Sequence, residues 1–352
     1  MTPNSLVTIF ITAYNSEKTI RKTLESLLSQ TYQNFEIIVS DNGSSDKTLE
    51  IVKSFSDPRI FTRHNIKKIV SDKPYIGFYD NCNGCLESGM MRGEFTAFYH
   101  ADDVYEKDMI KKEVEFLTQN PNAGAVFTMG NMINEKDEIV DTHKIPKQLK
   151  NQNAFSFKEI LENILMHGNT FLITPTFMAK KEVFETVRLF ALEGQFGTSA
   201  DLEMWLRILE KYQIGILEEN LIRRRVDGGG KTYNAFRTTP ADFFKVMDYY
   251  LMEKGYAKSL GKKYLRQYEY QKDFDNTLRA MNFLIKGETQ EVKNIINHSF
   301  SWQDLQALLE NMTNLRLKIF FLKITLWISI NLGFGKYLGK MLYQFHQIYS
   351  KI

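Results

Sequence analysis

Two apolar runs of strand length, LVTIFIT (residues 6–12) and FEIIVS (35–40), enclose an amphipathic stretch, SEKTIRKTLESLLSQ. In that stretch Ile20, Thr23, Leu24, Leu27 and Leu28 recur at helical spacing, with Ser16 placed as N-cap. Strand, crossover helix, strand is the unit from which parallel sheets are built, and such sheets carry helices on their faces. The alternation continues. SSDKTLEIVKSF predicts a second helix capped by Ser44 or Ser45, RIFTRHN a third strand, and residues 80–91 a helix leading to the strand EFTAFYH. EKDMIKKEVEFLTQN predicts a helix stopped by Pro121, and AGAVFTM a further strand. The expected fold is a doubly wound α/β domain, which binds ligands at the carboxyl ends of its strands.

From about Ala154 the pattern predicts mostly helix, clearest in SADLEMWLRILEKY (199–212) through Leu202, Trp205, Ile208 and Leu209. Residues 240–310 read as several helices with no strand pattern. A chain of 352 residues accommodates two regions, with the division expected near residue 230. A net charge of +3 is too slight to argue for nucleic acid. The only cysteines, Cys82 and Cys85 in NCNGC, make no disulfide framework and have no second pair to complete a zinc site. They are expected to be two small residues on a helix. MTPNSLVTIFITAYN has no basic start and its apolar run is broken by Thr12 and Asn15, so no signal peptide is expected and a cytoplasmic location is.

After Glu310 there is no acid, while Arg316, Lys318, Lys323, Lys336, Lys340 and Lys351 remain. Lys318, Lys323 and Asn331 interrupt the apolar segment, which therefore falls short of the ~20 residues that span a bilayer. An in-plane amphipathic helix is expected over residues 312–352, in peripheral contact with the cytoplasmic face of a membrane. The rival reading is a C-terminal helix packed on the core or on a partner subunit, and oligomerisation is left open.

Three strand ends carry polar clusters along one edge. TAYNSE offers the Tyr14 ring for stacking, with Thr12 and Asn15 for hydrogen bonds. SDNGSSD offers Asp41 before a glycine turn, suited to a base or ribose. EFTAFYHADD ends in Asp102 and Asp103. Paired carboxylates repel an anionic ligand unless a cation intervenes, and Mg2+ or Mn2+ held by one or two carboxylates plus phosphate oxygens is the usual solution. Taken singly, Asp41 and Asp102 read as turn residues and Tyr14 as core. Taken in order, they describe a stacked base, a recognised ribose and a metal-bridged diphosphate.

Over residues 6 to about 228 the chain resembles the inverting glycosyltransferases of family 2, which have the GT-A (Rossmann-like) fold. TAYNSE is close to P-x-Y-N-x-E, IIVSDNGSSDKT to V-D-D-G-S-x-D-x-T, RGEFTAFYHADD to x-G-E-Y-I-x-F-x-D-A-D-D, and ADLEMWLRI to E-D-x-x-x-W-L-R. The resemblance implies a nucleotide-binding part to about residue 130, an acceptor part over 131–230 and a helical region over 231–352. It implies that Thr12, Tyr14, Glu17 and Asp41 hold the nucleotide, that Asp102 meets the ribose or metal, and that Asp103 ligates Mg2+ or Mn2+. Asp201 would be the general base. Thr12, Asn42, His100 and Ala200 depart from the pattern.

The acceptor hydroxyl must lose its proton as it attacks the anomeric carbon, so a carboxylate facing that carbon opposite the leaving diphosphate is required. The plain alternative for Asp201 is an acid favoured by a helix N-terminus. IRRRVDGGGKT is no P-loop, since that motif needs Gly at Arg225. It reads as a lid whose Arg225 meets the diphosphate, or as a solvated basic loop. Q-x-x-R-W and membrane spans are absent, which favours transfer of one sugar, from a UDP-sugar by family habit, to a glycan or lipid-linked saccharide. A sugar-phosphate nucleotidyltransferase and a non-catalytic nucleotide-sugar-binding subunit are the rivals.

Overall fold

The computed structural model describes residues 4–64, 74–191, 195–226, 237–296 and 314–349. The chain divides into two compact units, Met1–Asp227 and Gly228–Ile352. The first runs β1 (Val7–Ala13), α1 (Ile20–Leu28), β2 (Phe35–Asp41), α2 (Thr48–Lys53), β3 (Ile60–His64), α3 (Pro74–Glu87), β4 (Phe95–His100), β5 (Val104–Tyr105), α4 (Met109–Gln119) and β6 (Ala123–Ile133). It continues through β7 (Ile139–Thr142), β8 (Ala154–Phe155), α5 (Phe157–His167), β9 (Phe177–Lys180), α6 (Lys181–Val187), α7 (Ala200–Leu209) and β10 (Gln213–Arg225).

These strands form one sheet in the order β3-β2-β1-β4-β9-β6-β10-β5, with β7 on β6 and β8 on β10. The β3-β2-β1-β4 half is parallel. β1, β2 and β4 are buried on both faces, hence their near-continuous apolar runs, while β3 forms the more exposed edge. β9 lies antiparallel between β4 and β6, and β10 is parallel to β6. The expectation of a mostly helical chain after Ala154 is therefore corrected within this unit: β9 and the 13-residue β10 complete the sheet. The core beside them is aromatic. Phe177 and Trp205 have ring centroids 4.0 Å apart, and Phe127 and Phe190 meet Trp205 edge-on.

Local starts also differ from expectation. α1 begins at Ile20 because the Ser16 carbonyl takes the N–H groups of Thr19 and Ile20, so Ser16 does not cap with its side chain. Asp46, rather than Ser44 or Ser45, receives the Thr48 N–H at the start of α2 (3.0 Å). α3 starts at Pro74, a residue tolerated in a first turn, and ends at Glu87. α5 has a full capping box, Ser156 with Glu159.

The second unit is helical in its described residues. Its main helices are Asp242–Asp248, Lys262–Lys286, Thr289–Ile296, Asn314–Asn331 and Gly335–Tyr349. Ala280, Leu284, Val292, Ile296, Leu326 and Ile330 form its core. Lys323 is buried and pairs with Asp273 (Nζ–Oδ1 2.6 Å), so one expected surface cation is an internal tie. Leu326 and Ile330 face inward while Phe321, Trp327 and Ile328 are exposed beside Lys318 and Thr325, so helix Asn314–Asn331 carries apolar residues on its outer side as well as its inner one. The helix ends at Asn331, and Gly333 (φ +81°) turns the chain into Gly335–Tyr349. No helix among the described residues is long and apolar enough to cross a membrane.

Candidate active site

The parallel register sets Thr12 of β1 beside Ser40 of β2 and His100 of β4, and Ala13 beside Asp41. The three polar strand ends therefore meet on one edge. The turn after β4 is fixed from α1 and the residue before it: the Thr19 hydroxyl donates to the Ala101 carbonyl (3.0 Å) and the Thr23 hydroxyl to the Asp103 carbonyl (2.7 Å). Tyr105 Oη accepts the His100 N–H at 2.8 Å, and Phe78 packs edge-on against the His100 ring.

This framework gathers one ligating atom each from His100, Asp102 and Asp103 within 4.8 Å of one another. His100 Nε2 and Asp103 Oδ2 are buried with no hydrogen-bond partner among the described residues. Burial lowers the His100 pKa, and the Arg224 charge adds to this against the opposing effect of Asp102, which favours a neutral imidazole with a lone pair. Burial, then the Asp102 charge, pushes the Asp103 carboxyl well above its ordinary range. Two orphaned donors beside a second carboxylate suit a divalent cation. Asp103 is 1% exposed and commits Oδ1 to the Arg225 N–H (2.7 Å), so it has one oxygen to offer. Asp102 is the more open of the pair.

The other two strand ends are sewn together. Asn15 (φ +48°) donates its N–H to Ser44 Oγ and accepts the Ser45 N–H, each at 2.9 Å. Asp46 takes the Glu17 N–H, and Glu17 takes the Lys47 N–H. Asp41 takes the N–H groups of Gly43 (3.0 Å) and Ser44 (3.1 Å), closing the turn at Gly43 (φ +82°). Sequence reasoning assigned Glu17 and Asp41 to the nucleotide, whereas here their carboxylates shape the two loops. Tyr14 is 61% exposed, so it is no core residue, and Thr12 is half-buried beside it.

Asp201 lies in the first turn of α7. Its Oδ2 accepts the Thr174 hydroxyl (2.6 Å) and its Oδ1 the Leu202 N–H (2.7 Å). Burial raises its pKa, opposed by these bonds and by Tyr79. Asp201 and His100 both line one cavity of about 470 Å³, walled by Phe78, Tyr79, Ile173 and Pro175 and bearing Arg224, His143 and Asn169.

Arg225 does not line this cavity. Its guanidinium donates to the carbonyls of Asp102 (3.1 Å) and Asn134 (2.8 Å) and pairs with Asp137 (2.5 Å). The expected diphosphate role for Arg225 is corrected accordingly: the side chain braces the carboxylate turn. Successive residues of a strand face opposite sides, so its neighbour Arg224 points into the cavity. The Arg224 side chain has no hydrogen bond or ion pair among the described residues, while its backbone lies in the ladder with β6. The expected lid at Gly228–Thr232 lies outside the described residues, as does Asp227.

Sequence reasoning missed Arg224, Thr174, His143 and Asn169, and treated His100 only as a departure. The arginine run carried a signal for the first; Thr174, 27 residues before Asp201, carried none. Cys82 and Cys85 are both free and fully buried. Burial pushes the Cys85 thiol up to about 11 and Cys82 well above its ordinary value, so neither is a reactive thiol.

Residues 8–188, just over half of the chain, match the family model described as glycosyl transferase family 2. An uncharacterized glycosyltransferase of Rickettsia typhi is 27% identical over 268 residues, covering 74% of each chain. The Escherichia coli protein WfaP, named UDP-Glc:alpha-D-GlcNAc-diphosphoundecaprenol beta-1,3-glucosyltransferase, is 33% identical over 135 residues, 38% of this chain and 49% of its own. The crystal structure of Staphylococcus aureus TarS 1–349 in complex with UDP-GlcNAc superposes with a TM-score of 0.54 at 18% identity, covering 93% of this chain and 92% of that one. The α/β sheet is thus of the GT-A type, and the chain belongs to glycosyl transferase family 2.

Proposed function

We propose that the protein transfers one sugar, with inversion, from a UDP-sugar to a hydroxyl of a glycan or lipid-linked saccharide, using a divalent cation at His100, Asp102 and Asp103. The observation that carries this reading is a single cavity into which both Asp201 and His100 of the cation cluster open. Tyr14, Thr12 and the Asp41 turn receive the nucleotide. A bound cation supplies charge neutralisation for the departing diphosphate. Arg224 adds a fixed positive charge on the same wall. Asp201, held by Thr174 and the Leu202 N–H, accepts the acceptor proton from the opposite side. The UDP preference is supported by the names of WfaP and the TarS complex, and the lipid-linked acceptor by WfaP. Transfer or hydrolysis measured across UDP-sugars with Mn2+ or Mg2+, with and without EDTA, tests the whole reading; full activity in EDTA removes the cation from it.

The arginine neighbours give a sharper check. Arg224→Ala is expected to lower kcat/KM for the donor by about 10- to 100-fold, the loss of a charge-assisted contact, with an unchanged melting temperature. Arg225→Ala is expected to act first on stability, costing about 1–3 kcal/mol through the lost braces to Asn134, Asp102 and Asp137. Thermal melts beside donor kinetics separate the two. A donor defect in Arg225→Ala alone would reverse the assignment.

Peripheral membrane contact, at the cytoplasmic face, is carried by the last helical hairpin. Phe321, Leu332, Phe334, Tyr337 and Met341 are exposed there, with Lys318, Lys336 and Lys340 among them. Replacing Leu332, Phe334 and Tyr337 by Ser is expected to abolish co-sedimentation with phosphatidylserine vesicles while melting is retained. Equal sedimentation of both proteins means that this face serves another purpose.

A further inference from the structure

We propose that His100 Nε2 is a direct ligand of the cation, and that this nitrogen makes the site select a transition metal such as Mn2+ over Mg2+. The inference rests on the cation-dependent reading above and adds a specificity-determining ligand to it.

His100 is fixed at its backbone and packed at its ring. Its backbone N–H is fixed on Tyr105 Oη, and its ring packs against Phe78 at a centroid distance of 5.3 Å. Its Nε2 is nevertheless buried without a partner. A buried polar atom left unpaired costs about 1–3 kcal/mol, so a rigidly aimed one implies a partner that binds later. The partner's charge follows from the surroundings. Asp103 Oδ2 is orphaned in the same way, and an Asp102 oxygen completes a group within 4.8 Å. Donors about 2.1 Å from one ion sit at most roughly 4.2 Å apart, so only a small closure is needed. A nucleotide phosphate would be repelled by both carboxylates, and a water alone would leave their charges unmatched.

The donor set then decides the metal. Mg2+ takes hard oxygen ligands, keeps several waters and is held by one or two carboxylates. Imidazole suits transition metals, whose affinities for such sites rise from Mn2+ along the first row. One nitrogen beside two carboxylates therefore tilts the site away from Mg2+ without excluding it. His143, the cavity's other histidine, also has an unpartnered Nε2, but it lies outside the three-donor group. It serves as the internal control.

The test is electron spin-echo modulation of Mn2+ bound to the full chain in the presence of UDP. Wild type is expected to show nitrogen modulation that changes when the protein carries 15N-histidine. The modulation is expected to vanish in His100→Asp and persist in His143→Asn. The ratio of Mn2+ to Mg2+ affinity is expected to fall roughly tenfold or more in His100→Asp, no less than the loss of an outer-shell partner costs. Bound Mn2+ without nitrogen modulation in wild type, which requires no variant to fold, overturns the His100 assignment and leaves the cation reading intact. Modulation that survives in His100→Asp overturns it too. Mn2+ that does not bind at all overturns both.

Discussion

Asp201→Asn is expected to bind donor as wild type does and to transfer sugar about 10²- to 10⁴-fold more slowly, the range general-base catalysis supplies. The substitution keeps the side chain's shape: its amide oxygen can still accept the Leu202 N–H while its amide nitrogen donates to the Thr174 hydroxyl, so the start of α7 is retained. What is lost is the capacity to take a proton. Two further outcomes distinguish a base from a helix-end acid. In wild type, kcat is expected to fall as pH drops through a value above the ordinary carboxylate range, because burial raises the Asp201 pKa. The stability sign runs the other way. A carboxyl with a raised folded-state pKa contributes stability that is full below the unfolded value and lost as pH rises through the folded one. At neutral pH, Asp201→Asn is therefore expected to melt at the same temperature as wild type or higher. An acid kept only for the helix dipole would show the reverse, lower stability with activity preserved.

Asp102→Ala is expected to reduce transfer by about a thousandfold, matching the several kcal/mol that a bound cation contributes to a departing diphosphate. EDTA acting on wild type is expected to reach the same floor. Asp102 is the more exposed of the pair, whereas Asp103 is buried and shares its carboxylate with the Arg225 N–H. Asp103→Ala is for this reason a mixed lesion that also releases β10 from the turn. Activity and melting temperature measured on both variants separate them: Asp102→Ala loses activity alone, Asp103→Ala loses both. Unaltered transfer in Asp102→Ala would contradict the cation site.

The parallel half of the sheet could be read from sequence because β1, β2 and β4 are buried on both faces and the helices beside them carry one apolar stripe. β1, β2 and β4 appear as apolar runs, and their polar ends announce the binding edge. β10 escaped for a physical reason. Its pairing with β6 shifts register between Leu217 and Asn220 and again before Ile222, so Glu218, Glu219 and Asn220 break the alternation that identifies a strand. The same irregularity hid which arginine of the run faces the cavity. A one-residue change of phase exchanges the two faces, and the reading fell on Arg225 instead of Arg224. β9 is four residues long and pairs with strands far away in sequence, which leaves no local pattern. Asp41 bonds within its own turn, to Ser44 three residues on, whereas Glu17 finds Lys47 thirty residues away, a contact that only the fold creates. His100 illustrates the opposite case: it stands out in sequence only as a departure from a motif, while the fold places its unpartnered Nε2 beside two carboxylates.

A single displacement at the anomeric carbon, with Asp201 as base in the cavity that His100 of the cation cluster also lines, requires inversion. The most direct measurement is the anomeric configuration of the first sugar released from α-linked UDP-glucose and UDP-GlcNAc, with water or an alcohol as acceptor, followed by proton NMR before mutarotation. The β-anomer is predicted, appearing with Mn2+ and suppressed in Asp201→Asn. An α-anomer as first product would contradict inversion and, with it, the role assigned to Asp201.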